Sequence, residues 1–109
     1  MSKQALQELL AKVEKRAFKW NYWETPPLPQ RLMGKVEDAY DGSLDAAKAL
    51  HESVLSDEWA ALLADWGSQN EWTVQLSAHL FEPIEVGHKD PARAWLCAIL
   101  KALIAQEGE

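Results

Sequence analysis

The chain has 109 residues and a mass of 12.3 kDa, which suffices for one domain but not for two. Its 11 Lys and Arg residues against 17 Asp and Glu residues give a net charge of -6, which argues against direct binding of nucleic acid, because that requires a basic surface. Cys97 is the only cysteine, so an intramolecular disulfide is excluded and the fold depends on its hydrophobic core.

No stretch of the sequence has the pattern of a membrane span or a secretion signal. The longest apolar run, residues 94–100, is far shorter than the ~20 residues that a membrane span requires. Charged side chains interrupt the first 16 residues, whereas a signal peptide has an apolar centre. We therefore expect a cytoplasmic protein without a membrane partner.

The N-terminal third of the chain predicts a helix followed by an extended segment. Apolar residues recur at spacings of three and four over residues 2–19, and Ser2 is the expected N-cap. This period is lost over residues 20–34, where three prolines favour extended backbone. We predict a strap across the core there, and one or two helical turns over residues 31–39.

Residues 43–55 predict a second helix. Ser43 is its N-cap, and Asp45 lies in the first turn, where the helix dipole favours a negative charge. On a helical wheel, one face is apolar except for a histidine. That face, which we expect to be buried, contains Leu44, Ala47, Leu50, His51, Val54 and Leu55.

The candidate strands follow this helix. Residues 57–66 fit both a helix and a strand, whereas residues 71–77 alternate polar and apolar side chains as a half-buried strand does. Residues 67–70, Gly-Ser-Gln-Asn, are typical of a turn between antiparallel strands. Residues 84–86 predict a third, short strand.

The last helix has the clearest pattern. Asp90 is an N-cap, and Pro91 follows at the first helical position, where its missing N–H is not needed. A broad apolar face comes next, with Arg93 and Lys101 on the solvent side and Gly108 at the end. We expect this helix to contribute most to the core. The whole pattern predicts an α+β protein in which a two- or three-stranded antiparallel sheet packs with about three helices; the alternative is a mostly helical fold with one hairpin.

Negative charge is concentrated in the middle of the chain. Residues 37–66 contain eight acidic residues and a single basic one, Lys48. Such a stretch is either an ordinary solvated surface or a negative face that docks on a basic partner. For the second interpretation, the candidate binding residues are Asp38, Asp41, Asp57 and Glu58.

Six tryptophans are many for a chain of this length. Most must be buried, because each has ~150–250 Å² of surface to remove from water. Trp20, Trp23 and Trp66 lie nearest to predicted loops and are candidates for exposed interface anchors, since Trp is enriched at hot spots. The alternative is that they close the edge of the core.

The histidines and Cys97 lack the spacing of a metal site or a catalytic cluster. His51, His79 and His88 are far apart in the sequence, whereas zinc sites usually include a close pair of ligands. We expect His51 to lie at the edge of the core with one nitrogen hydrogen-bonded, and Cys97 to be a buried structural thiol. No catalytic residue, metal or cofactor is predicted. The alternative is a small enzyme or metal-binding protein that uses the three histidines.

Three stretches of the sequence carry a family resemblance. Residues 9–14 read LLAKVE, residues 40–47 read YDGSLDAA, and residues 90–103 read DPARAWLCAILKAL, with a Trp-containing hairpin before the last of them. This order resembles the small phage and prophage proteins of the phage ABA sandwich type, with their Y-x-x-S-L-D-A-A and P-A-x-A-x-x-x-A-x-L-x-A patterns. The resemblance implies a small antiparallel sheet packed with helices, and hence strands at 59–65 and 71–80. It implies no catalytic residues.

These observations lead to a functional expectation. We expect a non-enzymatic accessory protein of phage or prophage origin that binds a host or phage protein, such as one with a basic nucleic-acid-binding surface. One version is a host-defence inhibitor of the anti-CRISPR sort, which uses its acidic surface to occupy that site. The alternative is a structural or assembly module that forms a homodimer through exposed tryptophans.

Overall fold

The computed structural model describes residues 3–14, 30–55, 59–65, 72–79 and 81–107. These residues form four helices and three strands, in the order α1 (Lys3–Glu14), α2 (Gln30–Tyr40), α3 (Leu44–Val54), β1 (Ala60–Asp65), β2 (Trp72–Ala78), β3 (Phe81–His88) and α4 (Pro91–Glu107). The fold class is α+β, as the sequence predicts, with three strands in the sheet and one helix more than expected.

The strands form an antiparallel sheet in the order β1-β2-β3, so each strand pairs with its neighbour along the chain. Residues 60–65, which fit both a helix and a strand, are a strand. In the centre of the sheet, Val74 is opposite Leu63 of β1 and Val86 of β3. Val74 and Leu76 of β2 are fully buried, whereas the residues between and beside them are more exposed. One face of β2 and β3 therefore covers the core, and the other face of these two strands is mostly polar.

The third strand is longer than the predicted residues 84–86, since β3 extends from Phe81 to His88. Its sequence includes Pro83, which cannot donate a backbone hydrogen bond. A proline is tolerated here because β3 lies at an edge of the sheet.

Helix α4 is the centre of the molecule. It packs beneath β2 and β3 on one side and contacts α1, α2 and α3 on the other. Five consecutive residues, 96–100, are buried, and this occurs only when a helix is covered on all sides. As predicted, α4 contributes most to the core.

The first half of the chain departs from the prediction in one place. The helix predicted over residues 2–19 is confirmed up to residue 14, and the rest of it lies outside the described residues. The helical turns predicted over residues 31–39 are confirmed, because α2 covers them. The overlapping strap predicted over residues 20–34 is wrong for residues 30–34, and its first ten residues lie outside the described residues. A stripe of four buried residues on α2 packs against α3 and α4, and this burial outweighs the low helix propensity of Gly34. The stripe contains Leu32, Met33, Val36 and Ala39.

Three residues of the face predicted for α3 are buried and two are half-buried, whereas Leu44 is 39% exposed. Ala46, Ala47 and Leu50 are the buried residues of this helix. At 100° per residue, Leu44 lies about 110° from the middle of that buried stripe. It therefore projects from the side of the helix at its first turn. None of the helices in the described part of the chain is long and apolar enough to span a membrane.

Candidate functional site

Two of the predicted acidic residues, Asp38 and Asp41, lie where α2 turns into α3. At the end of α2, the Ser43 N–H donates to the Asp38 carbonyl (2.9 Å) and the Gly42 N–H donates to the Ala39 carbonyl (3.1 Å). Gly42 has a φ of 109°. This pair of bonds around a left-handed glycine is a Schellman motif, which ends one helix in a defined direction.

The same turn begins the next helix. The Ser43 side chain accepts a hydrogen bond from the Ala46 N–H (3.1 Å) and is the N-cap of α3, as predicted. Ser43 thus serves both helices, because its N–H closes α2 and its hydroxyl caps α3. The backbone of the turn has little freedom as a result.

Asp38 and Asp41 are both exposed on this turn. Neither forms an ion pair with any residue in the part of the chain that the structure describes. Asp38 lies in the last turn of α2, which contains no basic residue. The helix dipole disfavours a negative charge at that end, so Asp38 does not stabilise its own helix. Asp45 has the opposite position, in the first turn of α3.

Arg93 of α4 fixes this turn to the core. Its Nε donates to the carbonyl oxygen of Tyr40, the last residue of α2. Its guanidinium carbon lies 4.2 Å from the centre of the Tyr40 ring, the geometry of a cation–π contact. The Arg93 side chain is only 22% exposed, so its predicted place on the solvent side of α4 is wrong. The reason is that a cation is well placed at the carboxyl end of a helix.

Asp90 connects the start of α4 to the end of β3 and to Arg93. Its Oδ1 accepts hydrogen bonds from the N–H groups of Ala92 (2.9 Å) and Arg93 (3.4 Å), which confirms it as the N-cap of α4. Its own N–H donates to Nδ1 of His88 (3.0 Å). Its Oδ2 lies 4.0 Å from Nε of Arg93. The start of α4 is thus bonded both to the end of β3 and to the end of α2.

A second cluster surrounds His51, which is half-buried as predicted, although both of its nitrogens have partners rather than one. Trp95 Nε1 donates to His51 Nδ1 (3.2 Å). His51 Nδ1 is therefore the unprotonated nitrogen, and Nε2 donates to the Trp59 carbonyl (3.2 Å). The imidazole and the Trp95 ring are T-shaped at 5.8 Å, and the buried Trp59 stacks on Phe81 at 5.2 Å. This cluster joins α3, α4 and the sheet and is structural.

The other two histidines lie elsewhere. His79 is exposed in the turn after β2, and His88 is at the far end of β3. Among the described residues, no group of three or more His, Cys, Asp or Glu side chains is arranged to hold a metal ion.

Cys97 is 2% exposed in the middle of α4. Burial raises the pKa of its thiol to about 11, and the negative charge of Glu14 contributes in the same direction. A thiol with such a pKa is protonated at neutral pH and is a poor nucleophile.

Five of the predicted binding residues, Trp20, Trp23, Trp66, Asp57 and Glu58, lie outside the described residues. The structure brings the remaining two, Asp38 and Asp41, together on one turn. Sequence reasoning missed Arg93 and Tyr40, which hold that turn. The Tyr-Asp-Gly-Ser stretch contained a usable signal, because glycine after a helical pattern is typical of a Schellman motif.

No family model matches the chain, and neither a curated protein nor a solved structure is significantly similar to it.

Proposed function

We propose that this chain is a non-enzymatic binding protein, and that the α2–α3 turn with its exposed carboxylates docks on a basic surface of a partner protein. Asp38 and Asp41 are the described residues that make the contact, and Asp57 and Glu58 are further candidates from the sequence. The partner is a host or phage protein, and a basic nucleic-acid-binding surface fits the charge of this turn.

The observation that carries this proposal is the position of Asp38. The side chain is exposed, forms no ion pair with another described residue, and lies at the helix end where the dipole opposes its charge. A residue that does not stabilise the local structure is better explained by an external contact. The cation at this end of α2, Arg93, is bound to the Tyr40 carbonyl and ring, so a basic partner would supply the counter-charge for Asp38 itself.

The rigidity of the turn supports the same function. Its backbone is held by the Schellman motif and the Ser43 cap, and the end of α2 is held by Arg93. Binding then costs little conformational entropy, because the carboxylates are already in place.

The resemblance to phage ABA sandwich proteins supports a phage or prophage origin for the protein. A phage or prophage protein would act in the cytoplasm of the host cell. An anti-CRISPR-like inhibitor is the most concrete version, in which the acidic turn occupies a site that otherwise binds nucleic acid and thereby excludes it.

The test uses the whole chain as bait in nuclease-treated host lysate, followed by identification of the captured proteins. Each captured protein is then purified and titrated against the wild-type chain and against Asp38→Asn/Asp41→Asn. We expect the double substitution to weaken binding to the true partner by roughly thirtyfold, since two desolvated charge pairs at about 1 kcal/mol each contribute about 2 kcal/mol. We also expect the chain to displace nucleic acid from that partner.

The matched control is Glu82→Gln/Glu85→Gln, which removes the same charge from two exposed positions on β3. It should bind as the wild type does. A partner that binds both double variants equally, or whose affinity is unchanged between low and high salt, would contradict the proposal.

A further inference from the structure

The outer face of α2 carries charges of both signs, and the two signs lie at opposite ends of the helix. Both basic residues of α2 lie in its first half, whereas Asp38 lies in its last turn and Asp41 follows in the turn to α3. At 100° per residue, the exposed residues of this helix fall within about 100° of one another and form one face. These residues are Arg31, Gly34, Lys35 and Asp38.

This order of charge does not stabilise a single helix. The first turn of α2 has no acidic residue and the last turn has no basic one, so its exposed charges oppose the helix dipole at both ends. In the part of the chain that the structure describes, neither Arg31 nor Lys35 forms an ion pair. The same holds for Asp38 and Asp41. The charges of this face are therefore available to another molecule.

Gly34 lies in the middle of this face and is also exposed. Glycine inside a helix is destabilising relative to alanine. A Cβ on residue 34 would meet no atom of the described residues within 4 Å, so packing within one copy does not require glycine here. The missing side chain lets a second helix approach this face closely.

We propose that the outer face of α2 packs against the same face of a second copy of this chain, with the two α2 helices antiparallel. A two-fold axis perpendicular to both helices places Lys35 level with Asp38 of the second copy. It also places Arg31 level with the turn that carries Asp41 of the second copy. The symmetry repeats each contact, so every cation of the face meets a carboxylate.

Charge complementarity favours a second copy over an unrelated partner. Antiparallel packing brings the cationic first half of each α2 beside the anionic end of the other, and the two helix dipoles contribute to the same attraction. A parallel pair would bring like charges together instead. A partner of a single sign would compensate only half of the face. The charges that oppose the dipole within one helix thus become favourable in the antiparallel pair.

Self-pairing would regulate the acidic turn, because it covers Asp38 and Asp41. A basic partner could then bind only the monomer, and its apparent affinity would fall as the concentration of the chain rises. This consequence rests on the proposed function, whereas the pairing itself does not.

Sedimentation equilibrium of the full chain from about 10 µM to 1 mM tests the pairing. The contact is one helix face made mostly of exposed charges, so we expect a dissociation constant on the order of 0.1–1 mM. Arg31→Glu/Lys35→Glu makes the whole face negative and should raise this constant at least about thirtyfold. The substitutions place negative charge in the first half of α2, where the dipole favours it, so the monomer should remain folded.

A charge-swapped variant tests the orientation. It combines Arg31→Glu/Lys35→Glu with Asp38→Lys/Asp41→Lys, which keeps the net charge at -6 and restores unlike pairs in an antiparallel dimer. We expect this variant to dimerise within about threefold of the wild type. We also expect it not to pair with the wild-type chain, because like charges would then face each other.

The matched control for Asp38→Lys/Asp41→Lys is Glu82→Lys/Glu85→Lys. It changes the net charge equally, at two exposed positions on β3. The control should dimerise at least as tightly as the wild type, whereas Asp38→Lys/Asp41→Lys alone should be monomeric.

Three results would overturn the proposal. The first is a wild-type chain that is monomeric at 1 mM. The second is a charge-swapped chain that pairs with the wild type as well as with itself. The third is a Glu82→Lys/Glu85→Lys control that loses dimerisation as fully as the α2 variant.

Failure of the proposed function would have a different result. Arg31→Glu/Lys35→Glu should prevent dimerisation and yet bind a basic partner at least as tightly as the wild type does, because the acidic turn is unchanged. If the chain has no such partner, the proposed function is wrong, and the dimer should still respond to the substitutions on α2 as described.

Discussion

Helix α4 and the α2–α3 pair differ in how much of their surface is buried. The middle of α4 is buried on every side and contacts the three other helices and two of the strands. The α2–α3 pair buries only one face, and its other face is exposed and carries charges of both signs. The difference teaches that the stability of the described fold depends mainly on α4, whereas the proposed recognition of a partner depends on the outer face of α2 and α3. Substitutions in α4 should change stability, whereas those on the outer face of α2 and α3 should change binding.

The largest expected effect is in the core of α4. Leu100→Ala removes a fully buried side chain and should lower the free energy of unfolding by about 2–5 kcal/mol. Leu44→Ala, the same substitution on the outer side of α3, should cost less than about 0.5 kcal/mol. Urea unfolding followed by circular dichroism measures both. Equal costs would mean that Leu44 is covered by a part of the chain that the structure does not describe.

Cys97 tests the burial of α4 in a second way, because its thiol is buried in the folded protein and exposed in the unfolded chain. With a pKa of about 11, the folded protein should react with a thiol reagent at pH 8 at least about 100-fold more slowly than the unfolded chain. The stability linked to this group is fully present below the unfolded pKa, near 9, and is lost as the pH rises toward 11.

Comparison with Cys97→Ala isolates this contribution from other groups that titrate at high pH. The wild type should lose stability relative to the variant between pH 9 and pH 11. Rapid labelling of the native protein at pH 8 would contradict the assignment of a buried thiol.

Arg93 connects the two regions and should have an intermediate effect. Arg93→Ala removes the hydrogen bond to the Tyr40 carbonyl and the contact with the Tyr40 ring, at a cost of about 1–2 kcal/mol. Lys48→Ala is the matched loss of one cation, from an exposed pair with Glu52 at 4.0 Å, and should cost less than about 0.5 kcal/mol. A similar cost for both would mean that Arg93 acts only through its charge.

The smallest effect should have the opposite sign. Asp38→Asn removes a negative charge from the carboxyl end of α2 and should raise the free energy of unfolding by about 0.3–0.5 kcal/mol. Asp45→Asn, at the amino end of α3, should lower it by a similar amount. A destabilising Asp38→Asn would show that the carboxylate has a stabilising partner, and it would weaken the case for a binding role.

The elements with strong local signals were predictable. Asp90 and Pro91 mark the start of α4, Ser43 marks the start of α3, and alternation marks β2. Residues 60–65 were different, because alanine and leucine favour a helix locally while pairing with β2 makes them a strand. The turn sequence at residues 67–70 and the family resemblance favoured the strand.

The parts that could not be predicted depend on contacts between elements far apart in the sequence. Arg93 has the pattern of a solvent-facing residue, and its contact with Tyr40 spans 53 positions. Leu44 falls within the apolar face of a helical wheel, but the stripe that is buried depends on where α2 and α4 pack. For the candidate site, charge composition identified Asp38 and Asp41, whereas the rigid turn that presents them required the three-dimensional structure.

The Gly42 turn suggests how homologues of this chain can be recognised. The backbone there is left-handed, which disfavours any residue other than glycine. A Cβ on residue 42 would also lie 3.3 Å from Oδ2 of Asp90, which is a close contact. Divergent sequences that share this architecture should therefore keep glycine at this point together with an aspartate and an arginine three positions apart at the start of the last helix. Their surface carboxylates, in contrast, would vary with the partner that each one meets.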